Sequence, residues 1–455
     1  MKQISRNPWT GEIVAEISLT NHAELEQILQ KTHLAYNSWY KHHAIFERVE
    51  PVQRLAQLLR QQRESLALII TQEMGKRYVE SLAEIDKCAW LCDVYANHSE
   101  AWLEPEHITT ESRKSFVQPI PLGVVLLVMP WNFPFWQVIR AAIPTILAGN
   151  ATILKHASNV PRCALALKTL FDEAGFKEGL FSVIFVQGAE VTPLVSHPYI
   201  RGVSLTGSES AGRAVAELAA TNFKKVVLEL GGSDPFIVLE DANLNLALDT
   251  AIQSRFANAG QSCIAAKRFI IDKYHYADFV EALTARIQKL KIGDPMDADT
   301  DIAPLARPQH CDELHQQVIA TQQAGARLCC GGNTWSQHNG CYEPTLLAEA
   351  MPGMTAFDEE TFGPVATITK ASDIQHAISL ANSSHFGLGS TVFTQDSTTA
   401  QTVAENLRTG CTYINGLMKS DPRLPFGGTG NSGVGREMGR LGLLEFTNLK
   451  TIIHS

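Results

Sequence analysis

The sequence predicts an α/β protein of two doubly wound domains with a small additional β element, and three observations carry that prediction. At 455 residues the chain exceeds the size at which a single hydrophobic core keeps growing. Hydrophobic residues make up 45% of it and charged residues 19%, the balance of a folded globular protein and not of a disordered chain. From about Gly123 onward, short apolar runs alternate with helical patterns, and the alternation starts again near Phe236, as expected where helical crossovers bury parallel strands on both faces.

Composition also sets limits on partners. A net charge of −9 with no block of Lys or Arg leaves no basic surface to hold a phosphate backbone, so nucleic acid is excluded. No apolar run approaches the roughly 18 residues of a membrane span, and Pro8 and Trp9 interrupt the N-terminus where a secretory leader would be apolar. Nine cysteines without framework spacing fit a reducing compartment. The expectation is a cytoplasmic protein that takes a small molecule and needs neither nucleic acid nor membrane.

The elements follow in order. The first hundred residues read as helical: Asn21 and Glu24 are spaced as a capping box ahead of Leu25, Ile28 and Leu29, and Pro51 opens a second helical stretch. Strands are expected at Val124–Met129, Thr152–Leu154, Ser182–Val186, Val203–Leu205 and Val226–Leu230, with a helix from Pro161 stopped at Gly175. Such a sheet binds ligands at the carboxyl ends of its strands. The second domain begins after Gly231 and Gly232, with a helix through Leu244, Ala247, Leu248 and Ala251. Residues 105–120 and 436–455 belong to neither domain, and extended segments of that kind often pair with another subunit.

Several segments could carry chemistry. Asn258-Ala259-Gly260-Gln261-Ser262-Cys263 ends a helix in a glycine turn that presents a cysteine, and a thiolate there would attack carbonyls; taken alone, a single cysteine is more often a small buried hydrophobe. Glu229 interrupts an apolar strand end, where burial would raise its pKa and make it a general base, although a solvent-facing terminus reads equally simply. Asn132, in the proline-braced Pro130-Trp131-Asn132-Phe133-Pro134, could donate its amide to an oxyanion or merely sit in a turn packing Trp131. The Gly-x-Gly-x-x-Gly fingerprint is missing, but Gly207 and Ser208 open a helix after a strand and offer backbone N–H groups to a diphosphate. Lys155 and Ser158 follow another strand, placed for a ribose or its 2′-phosphate. No metal-ligand spacing is present: Cys329 and Cys330 are adjacent and read as structural.

Read together, these segments resemble the aldehyde dehydrogenase superfamily across nearly the whole chain. The ordered motifs are Pro130 to Pro134, Lys155, Thr206-Gly207-Ser208, Glu229-Leu230-Gly231-Gly232, Gly260-Gln261-Ser262-Cys263, Glu360-Thr361-Phe362-Gly363-Pro364 and Pro425-Phe426-Gly427-Gly428. The resemblance implies an aldehyde dehydrogenase-like fold, with an NAD(P)-binding domain from residues 1–104 and 121–230, a catalytic domain from 231–435, and an oligomerisation element from 105–120 and 436–455 that builds a homodimer or homotetramer. It further implies Cys263 as nucleophile, Asn132 as oxyanion donor and Glu229 as base for deacylation. Trp131, Lys155, Ser158, Gly207, Ser208, Leu230, Glu360 and Phe362 become the expected cofactor contacts.

Within the superfamily the chain is most similar to compact bacterial succinate semialdehyde dehydrogenases, on Leu228 to Phe236 and Lys155 to Ser158. Arg140 and Ser420 are then the expected contacts of a substrate carboxylate. Some relatives carry another arginine six residues before the nucleophile; here that position is Ala257, and whether Arg255 compensates stays open. Members that prefer NAD often carry Glu where this chain has Ser158, so NADP is expected to be accepted and preferred, with NAD as the second cofactor. Ala265 stands where redox-gated relatives have a second cysteine, and no disulfide switch is expected. Two other readings remain: the same chemistry on a small hydroxyaldehyde or amino aldehyde, and a noncatalytic protein that keeps the fold. A coenzyme A-acylating dehydrogenase would not need Glu229.

Overall fold

The apolar runs that begin at Val124 form a parallel sheet whose order places a crevice at its centre. The computed structural model describes residues 2–338 and 340–455. Its first large sheet runs Gly433–Val434, Lys225–Glu229, Ile200–Thr206, Val124–Met129, Ala151–His156, Phe181–Ile184. Every pair is parallel except Gly433–Val434 against Lys225–Glu229. The chain winds outward from Val124–Met129 first to one side and then, through Ile200–Thr206, to the other, so the strand order reverses between these two strands. Ligand crevices form at such a reversal.

Each of the five expected strands is present. Val124–Met129 has the expected bounds, and Ile200–Thr206 is longer than expected because buried Ile200 and Thr206 at its two ends are also paired with neighbouring strands. The helix from Pro161 ends at Glu173, with Gly175 in the left-handed conformation beyond it. Asn21 and Glu24 make the expected capping box.

Two expectations at the N-terminus fail. Lys2–Arg6 and Ile13–Ser18 form an antiparallel hairpin before any helix, too short and too exposed to show a clear alternation of apolar residues. Pro51 does not open the second helix, which runs Ile45–Gln61 with the proline inside it. The start lies earlier because Glu47 accepts a hydrogen bond from the Ala44 N–H at 2.7 Å, satisfying a terminal amide.

The second large sheet has seven strands in the order Arg327–Cys330, Thr345–Ala348, Val365–Ala371, Ala266–Asp272, Asp234–Val238, Gly389–Phe393, Cys411–Ile414. All its pairs are parallel except the first. Segments 105–120 and 436–455 meet each other within the chain: Glu106–His107, Lys114–Pro121 and Thr447–His454 make a separate three-stranded antiparallel sheet. Among the described residues no helix is long and apolar enough to cross a membrane.

Candidate active site

Helix Leu244–Phe256 ends in a turn in which Asn258, Ala259 and Gly260 all take positive φ, at 52°, 51° and 74°. Two of these are not glycine, so the backbone is strained here. The turn is held from outside. Arg255, fully buried, donates to the carbonyls of Thr361 and Gly363, and Glu80 accepts from the Asn258 N–H at 2.9 Å. Beyond the turn, Lys267 Nζ donates to the Ser262 and Cys263 carbonyls at 3.0 and 2.8 Å and lies 3.1 Å from Glu360. Arg255 is therefore committed to the 361–363 loop and does not take the place of the arginine missing at Ala257.

Asn132 reaches the same turn from the other side. Its loop is braced twice. His156 accepts the Ala157 N–H at Nδ1 and donates from Nε2 to the Pro134 carbonyl at 2.9 Å, while burial pushes its pKa down to about 4 and keeps it neutral. Glu84 accepts the N–H groups of Phe135 and Trp136 at 2.8 and 3.0 Å, capping helix Trp136–Leu147 where a carboxylate suits the helix dipole. Asn132 Nδ2 donates one hydrogen to the Gln261 carbonyl at 3.1 Å, and the amide has a second hydrogen.

Two cavities meet at Cys263. One, of about 250 Å³, is lined by Asn132, Glu229, Cys263, Ser208, Glu360 and Phe362 among others. The second, of about 240 Å³, is lined by Lys87, Trp136, Arg140, Cys263, Ser420 and Phe426 among others. Burial pushes the Cys263 thiol up to about 12, opposed by the nearby Arg140 and Lys267. The glycine turn thus presents the sulfur without depressing its pKa.

Glu229 ends strand Lys225–Glu229 and is 3% exposed. Neither of its carboxyl oxygens has a hydrogen-bond partner among the described residues. Burial raises its pKa well above the usual carboxylate value, Glu437 adds to that, and Arg140 and Arg436 oppose it. Gly427, at φ 153°, leaves room for this carboxyl: a Cβ there would lie 2.8 Å from Glu229 Oε1.

Comparison with known proteins agrees with this architecture. The aldehyde dehydrogenase family model matches residues 2–452. The chain belongs to the aldehyde dehydrogenase family. It is 45% identical over 446 residues to a probable succinate-semialdehyde dehydrogenase [NADP(+)] of Synechocystis sp., covering 98% of each chain. It is 44% identical over 449 residues to the succinate semialdehyde dehydrogenase [NAD(P)+] Sad of Escherichia coli, covering 99% of this chain and 97% of that one. The crystal structure of succinic semialdehyde dehydrogenase from Streptococcus pyogenes in complex with NADP+ superposes with a TM-score of 0.97 at 37% identity, covering 99% of both.

The remaining expected residues of this aldehyde dehydrogenase-family chain fall into two places. Ser208 caps helix Glu209–Thr221, its Oγ accepting from the Ala211 N–H at 3.4 Å, and Gly207 precedes it. Trp131 and Phe362 meet edge to face at 5.8 Å, and Leu230 and Glu360 line the same cavity. Lys155 and Ser158 lie apart, beside a larger cleft that Arg307 also lines. Arg307 donates to Ser158 Oγ at 3.3 Å and to Asn159 Oδ1 at 3.1 Å. No carboxylate among the described residues pairs with Lys155 or Arg307.

Arg140 and Ser420 both line the second cavity, but Arg140 is ion-paired with buried Glu437 and lies over the Phe426 ring. Sequence reasoning missed Lys87, Lys267, Arg307 and Glu437. Lys87, Arg307 and Glu437 lie far along the chain from their partners, and Lys267, although close to Ser262 and Cys263, meets Glu360 only through the fold, so no local pattern singles any of them out. Among the described residues no group of three or more His, Cys, Asp or Glu could hold a metal ion.

Proposed function

We propose that the protein oxidises succinate semialdehyde to succinate with NADP, and less well with NAD, through a thioester on Cys263. The observation that carries this reading is the position of Cys263 at the meeting of two cavities, one lined by Glu229 and the expected cofactor contacts, the other by Lys87, Arg140 and Ser420 together with the carboxyl groups of Glu80 and Glu84. The near relatives named for this reaction support it.

The residues divide the work as follows. The Cys263 thiolate adds to the aldehyde carbon, and the free hydrogen of Asn132 Nδ2, with the Cys263 backbone N–H, stabilises the oxyanion that forms. A bound NAD(P), held by Ser208, Glu360 and Phe362 among the expected contacts, would supply the hydride acceptor that lets the oxyanion collapse to the thioester. Glu229 then takes a proton from water, which attacks the thioester carbon and frees the carboxylic acid and the thiol. A carboxyl without protein hydrogen-bond partners suits that step, because only water competes for it. Arg140 and Ser420 donate to the substrate's remote carboxylate.

The cofactor residues present fit the assigned group. Lys155 and Arg307 are cations without carboxylate partners that line the same cleft as the Ser158 hydroxyl, which is the environment of a phosphate and not of a bare 2′-hydroxyl. The N-terminus of helix Glu209–Thr221 behind Gly207 and Ser208 suits the diphosphate.

A kinetic matrix of aldehydes of increasing chain length against NAD and NADP tests the proposal. Succinate semialdehyde with NADP is expected to give the highest kcat/KM; a strong preference for NAD, or for an uncharged aldehyde, counts against it. Cys263→Ala is expected to abolish acylation. Glu229→Gln should release one burst of reduced cofactor and then stall, and undiminished turnover would remove Glu229 from the mechanism.

A further inference from the structure

Helix Tyr78–Leu103 turns Glu80, Ala83, Glu84 and Lys87 toward the second cavity, at the spacing of one helical face. Their charges are not equivalent. Glu80 accepts from the Asn258 N–H, its other oxygen has no partner among the described residues, and burial raises its pKa toward the neutral acid, while Glu84 is ion-paired with Lys76 and caps the next helix. Lys87 has no ion-pair partner among the described residues: its Nζ donates to Ser420 Oγ at 2.7 Å and lies 4.2 Å from the centre of the Trp136 ring. A serine hydroxyl and an indole face solvate an ammonium but do not neutralise it.

Among the described residues the only other cation lining this cavity is Arg140, and its charge is balanced by Glu437. An unbalanced cation in a largely buried cavity is costly, and it is retained where an anion arrives to pair with it.

We propose that Lys87 supplies the net positive charge that holds the remote carboxylate of the substrate, with Ser420 as its hydroxyl partner, while Arg140 is a fixed donor whose charge Glu437 already cancels. Lys87 is thus the residue that selects an aldehyde carrying a carboxylate over an uncharged one. This rests on the reading of the substrate as succinate semialdehyde. Burial and the neighbouring Arg140 bring the Lys87 ammonium down to about 8, consistent with a cation that lacks a counterion until a ligand binds.

The experiment compares wild type, Lys87→Met and Lys87→Arg with succinate semialdehyde and with butanal, the uncharged aldehyde of the same chain length. It also measures competitive inhibition of butanal oxidation by succinate. Lys87→Met keeps an unbranched stem against Trp136, and thermal melting checks that it folds. It is expected to lower kcat/KM for succinate semialdehyde by roughly thirtyfold or more, through KM, as loss of one partner of a buried charge pair implies. The loss with butanal should be at least roughly tenfold smaller, succinate inhibition should weaken in parallel, and Lys87→Arg should recover most of the preference. An equal loss with both aldehydes, or unchanged inhibition by succinate, overturns the role of Lys87. If wild type shows no preference for succinate semialdehyde yet Lys87→Met still weakens succinate inhibition, the substrate reading fails and the carboxylate site at Lys87 stands.

Discussion

A sulfur whose thiol titrates near 12 carries little thiolate at neutral pH, because the ionised fraction falls about tenfold for each unit of pH below the pKa. In the free protein the rate of inactivation by iodoacetamide, followed as loss of activity, should therefore climb steadily between pH 7 and 9. A plateau reached below pH 8 would show that Arg140 and Lys267 outweigh burial. Lys87 moves in the opposite sense, since its useful form is the cation and it loses the proton near pH 8. The groups that face it are Glu84 and Cys88 on its own helix, Arg140 on the next helix and Cys263 on the turn. The ratio of kcat/KM for succinate semialdehyde to that for butanal cancels the ionisation of Cys263 and Glu229, which both substrates share. It should fall as pH rises through about 8, and a ratio flat from pH 6.5 to 9.5 would count against a titrating cation in the carboxylate site.

At the scale of elements, the turn after helix Leu244–Phe256 decides where the nucleophile stands. Gly260 combines a positive φ with contact against the Gly363–Pro364 backbone, which a Cβ would overlap. Gly260→Ala should therefore cost about 1–2 kcal/mol for the left-handed backbone and a further roughly 1–3 kcal/mol for overpacking, seen as a lower Tm together with a lower kcat. A variant that melts like wild type and turns over normally would mean that the turn relaxes freely. This element also shows what was legible in the sequence. Cys263, Glu229 and Asn132 each fit a structural reading when their segments are taken alone, and they stand out only when the ordered motifs are read together as a resemblance to the family. The braces do not: Arg255 reaches a loop more than a hundred residues away, and Glu437 meets Arg140 across the fold. A charge paired by tertiary packing leaves no periodicity behind it. For the same reason Arg140 is picked out only through the family resemblance, and its neutralising partner Glu437 is not picked out at all.

Across the whole molecule, the two large sheets are visible in the sequence because strands buried on both faces must be continuous apolar runs; the N-terminal hairpin, whose Ile4 is exposed while Gln3 and Ser5 are buried, is not, and the three-stranded sheet is expected only as extended segments outside both domains. That third sheet has an unusual surface. Strand Thr447–His454 pairs through eight residues with Lys114–Pro121 on one side and is the edge of its sheet on the other. Leu449 and Ile453, four residues apart and so on one face, are 56% and 58% exposed. An open edge beside exposed aliphatic side chains invites pairing with another chain unless something covers it, and a second copy is the expected cover. Light scattering should find wild type at two or four times the 50.0 kDa chain mass. The double variant Leu449→Lys with Ile453→Lys leaves the ladder to Lys114–Pro121 intact, because both side chains point away from the chain's own core. It should shift the protein toward single chains that keep their far-UV circular dichroism. Wild type sedimenting as one chain, or a double variant that assembles unchanged, would mean that this sheet is not where copies meet.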